Sequence, residues 1–369
     1  MVDPLNEHYG YLADRVKVSR YQAAIDRVVK PGYVVMDLGC GSGLLGLMAL
    51  RAGAGKVLFV EEGAILEVAR RTVLEAGFGD RSEFLLINSY ELELPERVDV
   101  VLCDHVGYFG FDYGILGLLE DAKRRFLKED GVIVPAEVEL KLAPVETTIG
   151  RELVGRWRSG NVPDDFAWVG TSVANAKHSI KLAPGDLLAE HASLATLEFG
   201  ASAPAFLSWQ ADFVCAREGT LDGLLGFFDC VLHGDVRMSN APTAEQSLNR
   251  PQAFLPLEKP LTVSEGDRIS TTVMARPADH ILAWTVEARG NQYSQTTFNG
   301  LLLDDEALNR SSPDRIARLN DKGRARQVVL SYIDGTRTVA DIEALVREEH
   351  PDLFPSPKAV EGFVRRVLT

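Results

Sequence analysis

Three changes of pattern along the chain predict an α/β fold whose first domain is a doubly wound parallel sheet. From about residue 5 to residue 135, segments with helical spacing alternate with short apolar runs, which is typical of parallel strands covered by helices on both faces. After Pro135, short alternating stretches broken by Gly and Pro indicate antiparallel strands. From residue 302 onward, apolar positions recur at helical spacing and indicate a small helical domain.

The elements of the first domain follow in order from this periodicity. A helix is predicted over VSRYQAAIDRVV and ends at Pro31-Gly32, and the next segments are a strand (YVVMDL), a turn (GCGSG) and a helix (LLGLMALRAG). The later strands are KVLFVEE, EFLLI, VDVVLCD and GVIVP, and the later helices are ILEVARRTVLEAG and ILGLLEDAKRRFL. This order predicts a Rossmann-like domain over residues 1–135.

Two further domains complete the predicted architecture. The stretches VELKLAPVE, LSWQADFVCA, QAFLPL and DHILAWTVEA predict the strands of a β-barrel domain over residues 136–300. In residues 302–369, three helices are predicted over LNDKGRARQVVLSYI, TVADIEALVREEH and SPKAVEGFVRRVL. Thr338 and Asp341 have the spacing of a capping box at the start of the second of these helices.

Composition excludes several classes of protein. The formal net charge of −14 disfavours non-specific nucleic-acid binding, because phosphates would be repelled, and it favours a cationic peptide as partner. No apolar run approaches the ~20 residues of a membrane span, and the N-terminus lacks the pattern of a signal peptide, so we expect a cytoplasmic protein without membrane contact. The four cysteines form no C-x-x-C pair and the histidines have no ligand spacing, so no metal site or disulfide is expected.

The loop Asp37–Gly43 carries the clearest sign of a bound cofactor. It lies between a predicted strand and helix, where glycines let the backbone approach a ligand and free N–H groups face it. The segment Gly41–Gly46 also reads G-x-G-x-x-G, which fits a nicotinamide dinucleotide. S-adenosylmethionine is favoured because the glycine run begins earlier, at Gly39, and because Asp37 is placed to meet the methionine amino group. Glu61, at the end of the next strand, suits ribose hydroxyls in either cofactor.

Several motifs share the order and spacing of one enzyme family. They are YLADRVK followed by YQAAI, then DLGCGSGLLGLMALRAGAGKVLFVE, and later GFFDCVLHGDVRMSNAP and FLPLEKPLTVSEGDRIS. Over roughly residues 8 to 300 the chain thereby resembles the protein arginine methyltransferases. The resemblance implies S-adenosyl-L-methionine as cofactor, S-adenosyl-L-homocysteine as product, and a homodimer with an arm around residues 165 to 195. The cofactor-binding residues that it implies are Tyr11, Lys17, Asp37, Gly39, Cys40, Gly41 and Glu61, with Ser89, Tyr90 and Glu91 near the adenine.

The acceptor side of the predicted site departs from this family. In the family, two glutamates nine residues apart hold a guanidinium; here the first falls on Asp104 and the second on Tyr113. Asp112 would replace the second if the loop shifted by one residue. The family's Thr-His-Trp motif falls on 248–250, so that Arg250 enters the acceptor region. The positive charge of Arg250 disfavours a guanidinium as the acceptor and attracts a carboxylate. A buried charge without a partner is costly, so we expect Arg250 to be either exposed or paired with an acid of the protein.

The generic chemistry of methyl transfer needs alignment more than acid catalysis. Asp104 is the first candidate for orienting or deprotonating a nitrogen nucleophile, and His105 is the second. Tyr108 and Tyr113 are candidate hydrogen-bond partners. The acceptor atom stays open between nitrogen of arginine or histidine and oxygen of a carboxylate.

The tail resembles PqqD-like domains, the winged-helix peptide-recognition units of pathways that modify ribosomally made peptides. The stretches that carry this resemblance are LSYIDGTRTVADIEALVREEHP and AVEGFVRRVL. It implies a partner peptide with a leader segment held by residues 302–369 through strand addition. The first hypothesis is therefore methylation of a peptide side chain or terminus. The alternatives are a small-molecule N-methyltransferase for arginine or a related amino acid with a structural tail, and a cofactor-binding scaffold without catalysis.

Overall fold

The computed structural model of the protein describes residues 4–302, 304, 312 and 314–368. It divides into two compact units, Met1–Leu301 and Leu302–Thr369. Among the described residues, no helix has the length and apolar character that crossing a membrane requires.

The first part of the larger unit alternates helices and strands as predicted. Its helices are α1 (Pro4–Ala13), α2 (Arg15–Val28), α3 (Leu44–Arg51), α4 (Leu66–Glu75) and α5 (Ile115–Arg125). Its strands are β1 (Val34–Leu38), β2 (Lys56–Glu61), β3 (Ser82–Leu86), β4 (Val98–Leu102) and β5 (Leu127–Val134).

These five strands form one parallel sheet in the order β3-β2-β1-β4-β5. The central strand β1 is buried, with Val35 and Met36 inaccessible to solvent, because helices cover both faces. The Rossmann-like doubly wound fold is thus confirmed. The strand order reverses between β1 and β4, and in such sheets the crevice at the carboxyl ends of those strands is where ligands bind.

The rest of the larger unit contains two antiparallel sheets. The first has the order β7-β12-β10-β6-β8 with β11 added to β10, and the second has the order β15-β14-β13-β9. The strands of the first sheet are β6 (Glu137–Val145), β7 (His178–Ile180), β8 (Ala192–Glu198), β10 (Gly219–His233), β11 (Val236–Ser239) and β12 (Gln252–Val263). Those of the second are β9 (Leu207–Val214), β13 (Arg268–Arg276), β14 (Ile281–Ala288) and β15 (Asn291–Thr296).

The predicted barrel is not confirmed, because no hydrogen-bonded strand pair joins these two sheets among the residues that the structure describes. The strand pattern also does not predict three short helices in this region: α6 (Thr148–Gly155), α7 (Val169–Ala174) and α8 (Thr297–Gly300). Thr147 starts α6 by accepting a hydrogen bond from the amide of Gly150.

The smaller unit contains the three predicted helices. They are α9 (Asp321–Ser331), α10 (Val339–Glu349) and α11 (Pro357–Leu368). The capping box at Thr338 and Asp341 is present at the start of α10. The helices enclose a separate apolar core of Val329, Ile342, Val346, Val360 and Val364. Residues 314–368 contain no strand, so the wing of the predicted winged-helix domain is not confirmed.

Candidate active site

A cavity of about 540 Å³ lies at the carboxyl ends of β1, β2 and β4, where the strand order reverses. Its wall is built from the loops after these strands, from α1 and the start of α2, and from residues 249–251 before β12. The predicted site residues that line it are Tyr11, Lys17, Asp37, Gly39, Cys40, Gly41, Glu61, Asp104, His105, Tyr108 and Tyr113. The parallel sheet therefore brings the cofactor loop and the acceptor loop to one cavity.

The glycines of the cofactor loop leave room that side chains would fill. Gly39 and Gly41 have φ values of 67° and 51°, in the left-handed region that favours glycine. A Cβ on Gly39 would lie 2.3 Å from the ring of His105, and one on Gly41 would lie 2.5 Å from the ring of His8. Cys40 between them is buried. The loop thus presents bare backbone to the cavity, as close approach of a ligand requires.

Two carboxylates hold this loop in place. Asp37 is 1% exposed and accepts a hydrogen bond from the amide of Gly46 at 2.7 Å. Burial, together with the negative charges of Glu61 and Asp104, raises the pKa of Asp37 to about 7. Glu61 accepts hydrogen bonds from the amides of Gly41 at 3.0 Å and Gly63 at 2.8 Å.

This donor set fits S-adenosylmethionine. A buried carboxylate suits the ammonium group of the methionine part, and an acid at the end of β2 suits ribose hydroxyls. The last glycine of G-x-G-x-x-G is explained by packing, because a Cβ on Gly46 would lie 2.2 Å from the buried ring of Phe59. The apparent dinucleotide motif therefore carries no separate argument for NAD.

The acceptor side of the cavity is dominated by one carboxylate with two cations. Lys17 donates to Oδ2 of Asp104 at 2.5 Å, and Arg250 donates to Oδ1 and Oδ2 at 3.1 and 3.3 Å. Tyr21 adds a hydroxyl at 3.3 Å from Oδ1. Burial would raise the pKa of Asp104, but the charges of Arg250 and Lys17 outweigh it and hold this pKa below its usual value. Of the two predicted alternatives for Arg250, the structure shows the buried, paired one.

The other acceptor-side residues surround this ion cluster. Burial lowers the pKa of His105, which favours its neutral form. The rings of Tyr108 and Tyr113 meet edge to face with centroids 6.3 Å apart. Tyr113 has φ of 54° and is 56% exposed, and burial of the rest of its side chain, with Tyr108 beside it, raises its pKa. The loop thus offers hydroxyls and a neutral imidazole.

The idea that Asp112 replaces the family's second glutamate is wrong. Asp112 accepts hydrogen bonds from the amides of Tyr108 at 2.8 Å and Phe109 at 2.7 Å, and it pairs with Lys177. It is 7% exposed and does not line the cavity. Its carboxylate is bonded within the protein and shapes the loop, so Asp112 does not face Asp104 across the cavity.

Sequence reasoning missed two residues that position the site. Asp14 caps α2 at the amide of Lys17 and accepts a second hydrogen bond from the amide of Asn249 at 2.9 Å. Asn240, which is fully buried, donates to the carbonyl of Tyr108 at 2.8 Å and to that of Pro251 at 2.9 Å. Asp14 is detectable as an N-cap signal, whereas no local pattern marks Asn240.

The predicted adenine segment Ser89–Glu91 forms a single 3₁₀ turn after β3 and is not part of the cavity lining. Asn88, just before it, donates to Glu62 at the cavity rim at 2.9 Å. Contact between this turn and adenine stays a prediction. Among the described residues, no group of three His, Cys, Asp or Glu side chains is arranged to hold a metal ion, and the four cysteines are free and buried.

Two family models match the chain. Residues 22–134 match the ribosomal protein L11 methyltransferase family, and residues 206–298 match the PRMT5 oligomerisation domain. Neither match reaches residues 302–369. Among curated proteins, the chain is 24% identical to protein arginine N-methyltransferase 6 of Xenopus laevis, over 74% of this chain and 84% of that protein. It is 26% identical to the arginine N(omega)-methyltransferase of Streptomyces achromogenes subsp. streptozoticus, over 71% and 74%.

Solved structures share the fold. Protein arginine methyltransferase 10 of Arabidopsis thaliana has a TM-score of 0.69 at 19% identity, over 79% of this chain and 98% of that one. A PRMT1 enzyme-prozyme heterotetrameric complex with AdoHcy from Trypanosoma brucei has a TM-score of 0.68 at 20% identity, over 78% and 96%. The parallel sheet and the antiparallel sheets thus recur together in known proteins.

Proposed function

Given that the chain is an S-adenosylmethionine-dependent methyltransferase similar to the protein arginine methyltransferases, we propose that it methylates a side chain or terminus of a peptide. The observation that carries this proposal is the single cavity in which the cofactor loop faces the acceptor loop. The comparisons weigh against the alternative of a scaffold without catalysis, because the named relatives are methyltransferases.

In this proposal the two halves of the cavity have separate tasks. When bound, S-adenosylmethionine supplies an electrophilic methyl group on a positively charged sulfur. Asp37 would hold the amino group and Glu61 the ribose. Lys17, which also pairs with Asp104, would hold the carboxylate, and the backbone of Gly39, Cys40 and Gly41 would lie against the methionine part. Tyr11 would cover the cofactor from α1, and Ser89, Tyr90 and Glu91 would approach the adenine. On the acceptor side, His105, Tyr108 and Tyr113 orient the nucleophile around Asp104.

We further propose that the smaller unit recognises the peptide, as its resemblance to PqqD-like domains implies. The unit has its own core, and Leu330, Ile333 and Val339 are each more than two-fifths exposed on it. Recognition by strand addition would need a free strand edge on this unit. Residues 314–368 contain no strand, and residues 305–311 lie outside the described part of the chain. A tethered leader would raise the local substrate concentration into the millimolar range.

A small-molecule acceptor is the second candidate function. The relative from Streptomyces is named as an arginine N(omega)-methyltransferase and not as a protein methyltransferase, which supports a free amino acid as acceptor. In that case residues 302–369 would be structural.

We also propose a cytoplasmic homodimer. The match to an oligomerisation domain over residues 206–298 supports association. The predicted arm carries Phe166 and Trp168, which are 50% and 59% exposed. In such a dimer the partner would cover these side chains.

Deletion of residues 302–369 tests the peptide proposal against the small-molecule alternative. We expect calorimetry to show unchanged S-adenosylmethionine affinity, because the cavity lies wholly in the larger unit. When the peptide concentration is below the millimolar range, turnover of peptides encoded beside the gene should fall at least tenfold, because the deleted unit no longer holds the leader near the cavity. At millimolar peptide concentration, turnover should recover. Mass spectrometry should locate the methyl group. Unchanged turnover at low peptide concentration would contradict leader recognition and favour the small-molecule acceptor.

A further inference from the structure

The ion cluster of Lys17, Asp104 and Arg250 carries an excess positive charge inside the cavity. The side chains of Lys17 and Arg250 are 4% and 9% exposed, and that of Asp104 is 19% exposed. One carboxylate therefore faces two buried cations. A buried charge without a counter-charge is costly, so the cluster is suited to a ligand that brings an anion.

Arg250 lies on the acceptor side of the cluster. Its Nη2 contacts Asp104, and its Nη1 lies 3.4 Å from the carbonyl of Gly107, which directly precedes Tyr108 in the acceptor loop. The guanidinium is thus placed between the carboxylate and the loop that faces the substrate. A substrate guanidinium at Asp104 would have to displace Arg250 from a partner that holds it with two hydrogen bonds.

The other acids that line the cavity lie away from Arg250 in their contacts. Asp37 and Glu61 accept hydrogen bonds from amides of the cofactor side, and Asp14 accepts from the amides of Lys17 and Asn249. Glu7 accepts a hydrogen bond from the hydroxyl of Tyr11 at 2.9 Å, and Glu62 accepts one from Asn88 at 2.9 Å; both are exposed at the rim. In the proposed binding mode the carboxylate of the methyl donor would pair with Lys17 and its amino group with Asp37. Arg250 and Asp104 are then the charged pair that remains on the acceptor side, and the sulfonium adds one positive charge beside it. A cationic acceptor would add a further positive charge beside the cluster, and an anionic acceptor would cancel one.

We infer that the acceptor of the proposed peptide methylation is a carboxylate, either an Asp or Glu side chain or the C-terminus, and that Arg250 binds it and determines this specificity. The inference rests on the proposed function. In the family that the sequence resembles, acids of the enzyme hold a guanidinium of the substrate. Here the guanidinium belongs to Arg250 of the protein, and it matches a substrate carboxylate in shape and charge.

The chemistry balances without a catalytic base. A carboxylate oxygen of the substrate forms a bond to the methyl carbon while the carbon–sulfur bond breaks and its electron pair stays on sulfur. The products are a neutral methyl ester and S-adenosylhomocysteine, and no proton moves. This agrees with the ion cluster, because the charges of Arg250 and Lys17 hold Asp104 ionised and make it a weak proton acceptor. An ammonium or guanidinium nucleophile would first have to lose a proton.

The experiment uses the full chain, S-adenosylmethionine tritiated in its methyl group, and peptide pools at millimolar concentration, which replaces any help from a leader. The pools are N-acetylated hexapeptides with flanks randomised over uncharged residues other than His and a fixed central Asp, Glu, Gln, Arg or His, each prepared as the C-terminal amide and as the free acid. Methyl esters release labelled methanol in mild alkali, whereas N-methyl groups do not. We expect label in the Asp or Glu pools or in the free-acid pools, and we expect it to be alkali-labile.

Three variants isolate Arg250. Arg250→Gln should lower transfer about 10- to 100-fold, the loss expected for a hydrogen bond to a charged group, and Arg250→Lys should recover part of it. Arg237→Gln removes an exposed arginine on β11 and should leave transfer unchanged. Calorimetry with the S-adenosylhomocysteine complex gives a readout besides activity: acidic pools should bind more tightly than the Gln amide pool, and this difference should disappear in Arg250→Gln. Unchanged S-adenosylhomocysteine affinity and melting temperature show that the variant is folded.

The outcomes separate the two proposals. Alkali-stable label in the Arg or His pools overturns the carboxylate inference and leaves peptide methylation standing. Equal alkali-labile transfer by the wild type and by folded Arg250→Gln overturns the role of Arg250. Transfer to no pool by a protein that binds S-adenosylmethionine overturns peptide methylation itself, and the carboxylate inference with it.

Discussion

The close packing of α3 on β2 gives the sharpest test of how the cofactor loop is built. Gly46 lies in α3, and a Cβ on it would be 2.2 Å from Cε1 and 2.7 Å from Cζ of Phe59. That ring is fully buried and stacks on Phe84 with centroids 4.9 Å apart. The amide of Gly46 also donates to Asp37. Replacing Gly46 by Ala therefore perturbs both the packing and the carboxylate beneath the cofactor.

Two opposing effects determine how much Gly46→Ala changes the free energy of unfolding. Ala is a better helix former than Gly by about 0.8–1.0 kcal/mol. Against this, carbon atoms prefer separations of about 3.5–4.0 Å, so α3 and Phe59 must move apart by about 1.3 Å, and overpacking of this kind costs about 1–3 kcal/mol. A displacement this large belongs at the upper end of that range. We expect Gly46→Ala to lower the free energy of unfolding by up to about 2 kcal/mol.

The matched control is Gly117→Ala in α5. Its Cβ would meet only the hydroxyl of Tyr90, at 3.8 Å, which is ordinary contact, so this variant should be more stable by up to about 1 kcal/mol. Thermal unfolding followed by circular dichroism should show melting temperatures that shift in opposite directions for the two variants. In a unit of this size, each kcal/mol should shift the melting temperature by at most about 2–4 °C. Calorimetry should show weaker S-adenosylmethionine binding for Gly46→Ala alone.

A double-mutant cycle with Phe59→Leu completes the test. If the ring is the obstacle, Gly46→Ala should cost less in the Phe59→Leu background, with a coupling energy of about 1–3 kcal/mol. Equal stabilisation by Gly46→Ala and Gly117→Ala, or no coupling with Phe59, would refute the packing argument and reopen the dinucleotide interpretation of the motif.

Two further predictions concern the cofactor carboxylates. Glu61→Gln should weaken S-adenosylmethionine binding about 10- to 100-fold in calorimetry, because a charged hydrogen-bond acceptor is lost. Glu62→Gln at the exposed rim is the control and should change the affinity less than about threefold. Equal losses of affinity in the two variants would contradict the assignment of Glu61 to the ribose. The pKa of Asp37 is raised to about 7, above its unfolded value, so the free protein should lose stability as pH rises from about 4 to 7. S-adenosylmethionine affinity should rise over the same range, as the ionised carboxylate meets an ammonium. Asp37→Asn should abolish both trends, and their persistence would point to another group.

The sequence by itself determined the alternating elements, the parallel sheet and the cofactor loop. These depend on short-range patterns: apolar runs, glycines at turns, and an acid at the end of a strand. The loop at Asp37 and the acid at Glu61 meet because parallel strands present their carboxyl ends at one edge. The capping box at Thr338 is equally local. Such features need no knowledge of distant residues, which is why reasoning from one chain locates them.

Only the tertiary structure decided the charge of the acceptor side. Arg250 and Asp104 are 146 residues apart in sequence and Lys17 and Asp104 are 87 apart, yet they form one cluster. Asp112 is drawn away from the site by Lys177, 65 residues later. Periodicity predicts which face of an element is buried, but it does not predict which side chain of a distant element lies opposite. That depends on how the antiparallel sheets pack against the Rossmann-like sheet, and this packing places Arg250, which the sequence puts in the acceptor region, against Asp104.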